Sequence, residues 1–282
     1  MKLIQSVKET INELQRLRGK GLTIGFVPTM GALHEGHLVL VRRSILENDI
    51  TICSIFVNPK QFNNQDDLGK YPRMLEKDAE LLEKEGCHIL FAPSEEEMYP
   101  GHEKITMKID FGVLETVLEG KFRPGHFKGV AIVVKKLFEI TGPTRAYFGK
   151  KDYQQLLIIR HMVRAMGLPV QIISCETVRE PDGLAMSSRN LRLTKSERKL
   201  APKIYQVLCK VREKSASKPV RELKEWAIKK IQENPELRVE YFEIADKESL
   251  LPLVSHSLKG GAVALTAVYL GDVRLIDNVE LF

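Results

Sequence analysis

The sequence contains no apolar run long enough to span a lipid bilayer. Charged residues begin at Lys2 and recur too often for a secretory signal peptide. The four cysteines are far apart and form no C-x-x-C motif, a pattern typical of small buried thiols in a reducing compartment. We therefore expect a soluble, cytoplasmic protein.

Several functional motifs are also missing. The phosphate-binding motif G-x-x-x-x-G-K-[ST] is absent, and so is the G-x-S-x-G motif of the α/β-hydrolases. No glycine-rich dinucleotide fingerprint opens the first helix after a strand. Aromatic residues are not interleaved with Arg and Lys, so the net charge of +6 favours small anionic substrates over nucleic acid.

The composition is that of a globular α/β protein, with 43% hydrophobic and 28% charged residues. Apolar strand-like runs alternate with segments of helical periodicity, which predicts a parallel sheet with helices on both faces. Strands are predicted at 22–27, 50–57, 88–91, 146–148 and 170–174, and helices at 5–18, 38–46, 71–85, 129–140 and 153–166.

Two prolines and one loop refine this prediction. Pro28 is expected to end the first strand, because proline cannot donate to a sheet ladder. Pro72 is expected in the first turn of the helix that ends before Gly86. Residues 93–102 are expected to form a surface loop.

A different pattern begins near residue 180. The turn signal Pro181-Asp-Gly is followed by a capping box, Thr194–Glu197, which predicts the start of a long amphipathic helix. A second helix at 219–233 and strands at 239–244, 263–269 and 273–276 complete a smaller α+β unit. We predict a larger α/β domain over 1–180 and a smaller domain over 181–282, with the boundary near 176–186.

The stretch from Thr23 to His37 is the strongest candidate for a ligand site. Gly31 and Gly36 allow a tight turn and a close approach of backbone to ligand. His34 and His37 are expected at a helix N-terminus, at the carboxyl end of the first predicted strand, where phosphate is favoured. Two satisfied or surface histidines, or a loosely spaced metal pair, remain as alternatives.

Three further segments carry polar side chains at strand ends or at the domain boundary. Asn58 and Gln61 can contact a carboxylate or hydroxyl, although an ordinary polar turn has the same composition. In the segment 149–155, lysines suit phosphate, and Asp152 either binds ribose hydroxyls or caps a helix. Residues 186–190 place two hydroxyls and a guanidinium beside a phosphate chain, or simply begin a helix after a linker.

Together these segments resemble the pantoate–β-alanine ligase family. The matching motifs, in the family's order, are P-T-M-G-A-L-H-E-G-H, F-V-N-P-K-Q-F, D-L-G-K-Y-P-R, R-P-G-H-F-K-G-V, G-K-K-D-Y-Q-Q and G-L-A-M-S-S-R-N. The resemblance spans most of the chain through residue 190. It implies a Rossmann-like nucleotidyltransferase domain with a smaller C-terminal lid domain. It also implies formation of pantoyl adenylate from ATP, with Mg²⁺, followed by attack of β-alanine.

The resemblance also implies site residues. The expected ATP-binding residues are Met30, Gly31, Ala32, Leu33, His34, Glu35, Gly36, His37, Gly149, Lys150, Lys151, Asp152, Val178, Met186, Ser187, Ser188 and Arg189. Among them His37, His34 and Lys151 are expected to be catalytic, with Val178 contacting adenine through its backbone. Gln61 and Gln155 are expected to bind pantoate, Gln61 also β-alanine, and Asn58, Arg123 and His126 to support the site.

Other functions fit parts of this pattern. A nucleotidyltransferase that keeps AMP in its product also uses H-x-G-H and a serine-rich loop. A non-catalytic ATP sensor would use the same loops, but it has no need of the polar pocket suggested by Asn58, Gln61 and Gln155. A fragment related to the aminoacyl-tRNA synthetases is a third alternative, but this sequence contains no recognisable anticodon-reading domain. The family resemblance further implies a homodimer and no nucleic-acid or membrane partner.

Overall fold

The computed structural model describes residues 1–63, 65–102, 107–254 and 261–281. The chain forms two compact units. Unit 1 comprises Met1–Phe111, Arg123–Lys150 and Gln155–Glu176, and unit 2 comprises Gly112–Phe122, Lys151–Gln154 and Thr177–Phe282. The domain boundary placed at residue 180 stays a prediction. No helix in the described ranges is both long and apolar enough to cross a membrane.

Unit 1 alternates strands and helices. Its strands are β1 (Lys2–Ile4), β2 (Ile24–Thr29), β3 (Ile50–Ile55), β4 (Ile89–Phe91), β5 (Arg145–Gly149) and β6 (Gln171–Cys175). The helices of this part of the chain are α1 (Val7–Arg18), α2 (Glu35–Glu47), α3 (Gln65–Gly69), α4 (Leu75–Lys84), α5 (Glu95–Met98), α6 (Leu118–Phe122), α7 (His126–Thr141) and α8 (Tyr153–Ala165). Helix α6 belongs to unit 2.

Within the described residues, the strands of unit 1 form a six-stranded sheet in the order β1-β4-β3-β2-β5-β6, and each registered pair is parallel. This confirms the predicted parallel sheet. Helices pack on both faces. Phe26 of β2 meets Phe138 of α7 edge to face, with ring centroids 6.2 Å apart. The next residue, Val27, joins a buried cluster with Val41 of α2 and Leu82 of α4 on the opposite face.

Four sequence-based expectations about unit 1 were wrong. Strand β1 was missed, because three residues carry too little periodicity to recognise; it pairs with β4 at the sheet edge. Pro28 does not end β2, which pairs with β3 through Thr29. Registered pairing with β5 stops at Phe26, so the missing N–H of Pro28 falls beyond that ladder.

The other two errors concern local helix structure. The helix predicted from residue 71 begins only at Leu75, so Pro72 precedes it. The segment 93–102 is not simply a surface loop. It contains α5, capped by Ser94, and it buries Met98 and Tyr99.

Unit 2 contains α9 (Lys195–Leu200), α10 (Lys203–Lys214) and α11 (Val220–Gln232), followed by β7 (Leu237–Asp246), β8 (Ala262–Leu270) and β9 (Val273–Glu280). The three strands form an antiparallel sheet in the order β7-β8-β9. The Thr194 capping box is present, but the helix it opens is short. The helical path is interrupted at Ala201 and Pro202, because proline lacks the N–H of an interior helical position.

An ion network that is largely shielded from solvent joins three elements of unit 2. Arg274 of β9 donates to both carboxylate oxygens of Glu119 at 2.8 Å and to Glu240 of β7 at 2.5 Å. The Tyr241 hydroxyl donates to Glu119 at 2.8 Å, and burial raises the pKa of this hydroxyl. The network therefore ties α6 to the C-terminal sheet.

Removing the central cation should destabilise unit 2. Arg274→Met leaves Glu119 and Glu240 without their counter-charge, and we expect a loss of about 3–5 kcal/mol in the free energy of unfolding. Urea titration followed by circular dichroism measures this loss. The control is Arg221→Met, whose guanidinium pairs with Glu225 at the surface and is 88% exposed. If the two variants unfold at the same urea concentration, the network does not stabilise the protein.

Candidate active site

The strand order of unit 1 reverses beside β2. From β2 the chain adds β3 and then β4 on one side, and later β5 and β6 on the other. Ligands of open α/β sheets bind at such a switch point, outside the carboxyl ends of the strands. The β2–β3 ladder runs to Thr29, whereas the β2–β5 register covers only Gly25 and Phe26. The segments that follow β2 and β5 therefore leave the sheet at this switch point.

The loop after β2 has an unusual backbone that a buried carboxylate holds in place. Gly31 has φ +82° and Ala32 has φ +48°, a left-handed conformation that L side chains rarely adopt. Asp78 of α4 accepts hydrogen bonds from the Ala32 N–H at 2.8 Å and the Leu33 N–H at 2.7 Å. The Asp78 side chain is fully buried, and burial raises its pKa. The carboxylate thus fixes the residues that lead into His34.

His34 and His37 cap α2 reciprocally. His34 is the N-cap residue; its Nδ1 accepts from the Gly36 N–H at 3.1 Å, while His37 Nδ1 accepts from the His34 N–H at 3.3 Å. The two ring centroids are 4.1 Å apart. A nitrogen that accepts a hydrogen bond carries no proton, so each neutral ring has its proton on Nε2. Both imidazoles are therefore set as Nε2–H donors at a helix N-terminus, an arrangement suited to phosphate oxygens.

Glu35 lies between these histidines, but its carboxylate is engaged by Arg42. Arg42 also forms a bidentate pair with Glu85, with both N···O distances 2.6 Å. The pKa of Glu85 is lowered by this hydrogen bond. Glu35 is one of the residues expected to bind ATP. The negative charge of its carboxylate is balanced by Arg42 of the same helix.

The second loop, after β3, buries its two amides. Asn58 is 1% exposed and caps the 3₁₀ turn Pro59–Gln61. Its Nδ2 donates to Gln61 Oε1 at 3.3 Å, and Gln61 Nε2 contacts the Met30 sulfur at 3.1 Å. His126, at the start of α7, places Nδ1 2.8 Å from the Gln61 carbonyl oxygen. The structure thus brings Asn58, Gln61, Met30 and His126 together, and the roles assigned to them stay predictions.

A glycine permits this close packing. A Cβ at Gly129 of α7 would lie 2.1 Å from the Lys60 carbonyl oxygen and 2.8 Å from Gln61 Cα. The helix can therefore approach the 3₁₀ turn only without a side chain at this position. Arg123, a half-buried residue just before α7, accepts from the His126 N–H through its carbonyl at 3.1 Å.

The loop after β5 carries the predicted lysines. Gly149 ends the strand, and Lys150 pairs with Glu176 at 2.7 Å. Gln155 is half-buried in the first turn of α8. Lys151 and Asp152 belong to unit 2, where the Asn278 amide donates to the Lys151 carbonyl oxygen at 2.9 Å. Asp152 is exposed.

The remaining residues predicted to bind ATP, Val178 and Met186 to Arg189, lie in unit 2 on the two sides of one turn. The Val178 carbonyl accepts from the Met186 N–H at 3.0 Å, beside an antiparallel bridge between Arg179 and Ala185. Ser187 caps the 3₁₀ turn Ser188–Arg192 and accepts from the Arg189 N–H at 3.3 Å. Ser188 is buried.

Two residues of the site were missed by the sequence reasoning. Asp78 falls on the apolar side of α4, between Leu75 and Leu82, and a carboxylate on such a stripe is the signal that identifies it. Tyr99 was placed in a surface loop, although it is 2% exposed and donates to Asn58 Oδ1 at 2.9 Å. No local sequence pattern marks it, because its partner is 41 positions away.

Comparisons with known proteins point to one family. The profile of the pantoate-beta-alanine ligase family matches residues 2–280. A pantothenate synthetase of Phocaeicola vulgatus is 52% identical over 281 residues, which cover 99% of each chain. The crystal structure of a pantothenate synthetase from Thermus thermophilus superposes with a TM-score of 0.94 at 44% identity, with 100% of both chains covered.

A further crystal structure is similar to the chain. It is the pantoate-beta-alanine ligase of Francisella tularensis, complexed with beta-gamma ATP and beta-alanine. This structure is 37% identical with a TM-score of 0.83, and the match covers 100% of this chain and 98% of the other. With matches of this extent in sequence and in fold, the chain belongs to the pantoate–β-alanine ligase family.

Proposed function

We propose that this protein condenses pantoate with β-alanine at the expense of ATP, and that the reaction passes through pantoyl adenylate. A carboxylate oxygen of pantoate attacks the α-phosphorus of ATP, the bond to the β-phosphate breaks, and pyrophosphate leaves. The β-alanine amine then attacks the acyl carbon, so that the amide forms, the amine loses a proton and AMP leaves. The observation that carries this proposal is the His34–His37 double cap after β2 in a chain of this family.

The difficult step joins two anions, so the protein must neutralise charge and align the groups. His37 and His34 would donate Nε2–H bonds to phosphate oxygens, supported by the positive end of the α2 dipole. Lys151 would add a cation. We assign to these three residues the stabilisation of the charge that develops on the departing pyrophosphate.

The other site residues divide by substrate. Gln61 and Gln155 would hold pantoate, and Gln61 later β-alanine, with Asn58, Arg123 and His126 as their support. The ATP-binding residues would be Met30 to His37, Gly149 to Asp152, Val178 through its backbone, and Met186 to Arg189. The hydrogen bonds of Asn58 and His126 to Gln61 support the first group.

We propose that Mg²⁺ arrives with ATP. Among the described residues, no group of three or more His, Cys, Asp and Glu side chains is placed to hold a metal ion. Mg²⁺ is commonly bound by few protein carboxylates and several substrate phosphate oxygens. A site with few protein ligands therefore fits an ion that the triphosphate carries. Bound there, the ion would neutralise phosphate charge.

The decisive experiment is pantoate-dependent exchange of labelled pyrophosphate into ATP without β-alanine. Exchange that requires pantoate, and that amino acids do not support, would establish the adenylating half-reaction. Free AMP on addition of β-alanine would then exclude an enzyme that keeps AMP in its product, an alternative that the family match does not favour. Absence of both exchange and AMP would contradict the proposal.

We also propose that residues 181–282 act as a lid domain over the reaction. The adenylate is easily hydrolysed, so excluding water protects it. Leu191, 71% exposed, marks the accessible turn in which trypsin can cleave after Arg189 and Arg192. We expect ATP with pantoate to slow this cleavage. Cleavage after Lys20, which is exposed in the turn that follows α1, serves as the internal reference. An unchanged ratio of the two cleavage rates would contradict the lid.

Homodimerisation and a cytoplasmic location are further proposals, implied by the family resemblance. Sedimentation equilibrium distinguishes the mass of one chain from that of two. Fractionation of the source cells tests the location.

A further inference from the structure

The orientation of the Gln61 amide decides what this residue offers to a substrate. A glutamine amide has an acceptor end and a donor end, and only the donor end attracts a carboxylate. Gln61 is 9% exposed, so few orientations are open to it. The contacts around Asn58 determine which end is presented.

Asn58 is oriented by two backbone groups whose roles are fixed. The Lys60 N–H can only donate, and it lies 3.3 Å from Asn58 Oδ1. The Gly129 carbonyl can only accept, and it lies 3.2 Å from Asn58 Nδ2. These two partners favour one assignment of the oxygen and nitrogen ends of the Asn58 amide, but both contacts are long for hydrogen bonds and do not secure it alone.

Tyr99 strengthens the same orientation. Its hydroxyl donates to Asn58 Oδ1 at 2.9 Å, which is shorter than either backbone contact. The ring is held edge to face by Phe56, with centroids 6.0 Å apart, and the Lys60 ammonium is 4.3 Å from the ring centroid. Burial raises the pKa of the hydroxyl, so the group stays a proton donor.

The orientation of Asn58 fixes that of Gln61. Asn58 Nδ2 needs an acceptor, so Gln61 turns its Oε1 toward it at 3.3 Å. The Gln61 Nε2 end then faces the Met30 sulfur at 3.1 Å. A thioether is a weak acceptor, and a substrate carboxylate or hydroxyl that takes its place gains a stronger hydrogen bond.

We propose that Tyr99 is a positioning residue which, through Asn58, holds the Gln61 amide with its N–H groups toward the acid substrate. The proposal rests on the proposed role of Gln61 in pantoate binding. A reversed Gln61 would present its oxygen to a carboxylate and repel it. Tyr99 therefore sets the preference for a carboxylate substrate without touching it.

The test is Tyr99→Phe, which keeps the ring and removes only the hydroxyl. We expect the pantoate Kd, measured by isothermal titration calorimetry, to rise about fivefold to tenfold. The KM for ATP should not change. The ratio of the Kd for the neutral amide of pantoate to the Kd for pantoate should fall. A partly reversed Gln61 would no longer favour a hydrogen-bond acceptor over a donor.

Tyr147→Phe is the matched control. This tyrosine is equally buried in unit 1, and its hydroxyl is bonded to Asn48 at 2.7 Å and to Glu47 at 2.9 Å. It should lose thermal stability and keep the pantoate Kd. If both variants change the pantoate Kd equally, or if Tyr99→Phe leaves it at the wild-type value, the proposal is wrong.

The double variant Tyr99→Phe, Gln61→Ala tests the route. If Tyr99 acts through Gln61, its substitution adds no further loss of pantoate affinity to that of Gln61→Ala; an additional loss of about fivefold contradicts this route. The wild-type exchange reaction separates the proposed function from the role of Tyr99. A wild-type protein without pantoate-dependent exchange and AMP release would overturn the proposed function. An active wild-type with an unaffected Tyr99→Phe would overturn only the role of Tyr99.

Discussion

Replacing His37 with alanine is expected to lower the rate of pantoate-dependent pyrophosphate exchange by about a hundredfold to a thousandfold. The substitution removes an Nε2–H donor at the N-terminus of α2. It also removes the Nδ1 acceptor that the His34 N–H uses. The loss should fall on kcat more than on the KM for ATP, because the donor acts on charge that develops during the reaction.

His37→Asn separates catalysis from capping. The asparagine oxygen can occupy the place of Nδ1 and accept from the His34 N–H, but nothing replaces Nε2. This variant should match the wild type in melting temperature and match His37→Ala in activity. His161→Asn, on α8, is the control for loss of a histidine outside the site. Near-normal exchange by His37→Asn would remove the catalytic role assigned to His37.

Asp78→Asn is expected to have the second large effect. An asparagine can accept from one of the Ala32 and Leu33 N–H groups, but its NH₂ would face the other. An unsatisfied buried donor costs about 1–3 kcal/mol, and Ala32 already has an unfavourable φ. We expect a lower free energy of unfolding and at least a tenfold slower exchange, since the loop leads directly into His34.

The matched control is Glu80→Gln, an exposed residue on the same helix with the same change of charge, since the hydrogen bonds from the Ala32 and Leu33 N–H groups go to Asp78. It should leave both the free energy of unfolding and the exchange rate unchanged. Addition of saturating ATP should recover part of the stability of Asp78→Asn if the loop belongs to the ATP site. Equal behaviour of the two variants would show that the Asp78 carboxylate does not hold the loop.

The sequence was sufficient for features that depend on neighbours along the chain. The alternation of apolar strands and amphipathic helices identified the parallel sheet, and the helical periodicity that begins at Leu38 placed both histidines at the start of α2. The prediction that Pro28 ends β2 relied too much on the residue type alone. Whether Pro28 ends a strand depends on which neighbour needs its N–H, and β5 had already left the register.

Features that depend on distant partners could not be predicted. Asp78 binds a loop 45 and 46 positions away, and Tyr99 binds Asn58 across 41 positions. The position of Asp78 on the apolar side of α4 marks it as buried but does not identify its partner, and no local pattern marks Tyr99. The interruption of the predicted long helix at Pro202 was visible in the sequence, but the preceding capping box suggested continuity.

The hydrogen bonds that orient Gln61 also bear on folding. Asn58 takes one partner from α7, 71 positions later, and another from the segment after α5. Bringing such partners together requires the intervening chain to be closed into its native topology. A partly folded chain therefore cannot hold this amide in its native orientation. Pantoate would bind only after unit 1 is complete, and by mass action it would protect the whole unit against unfolding.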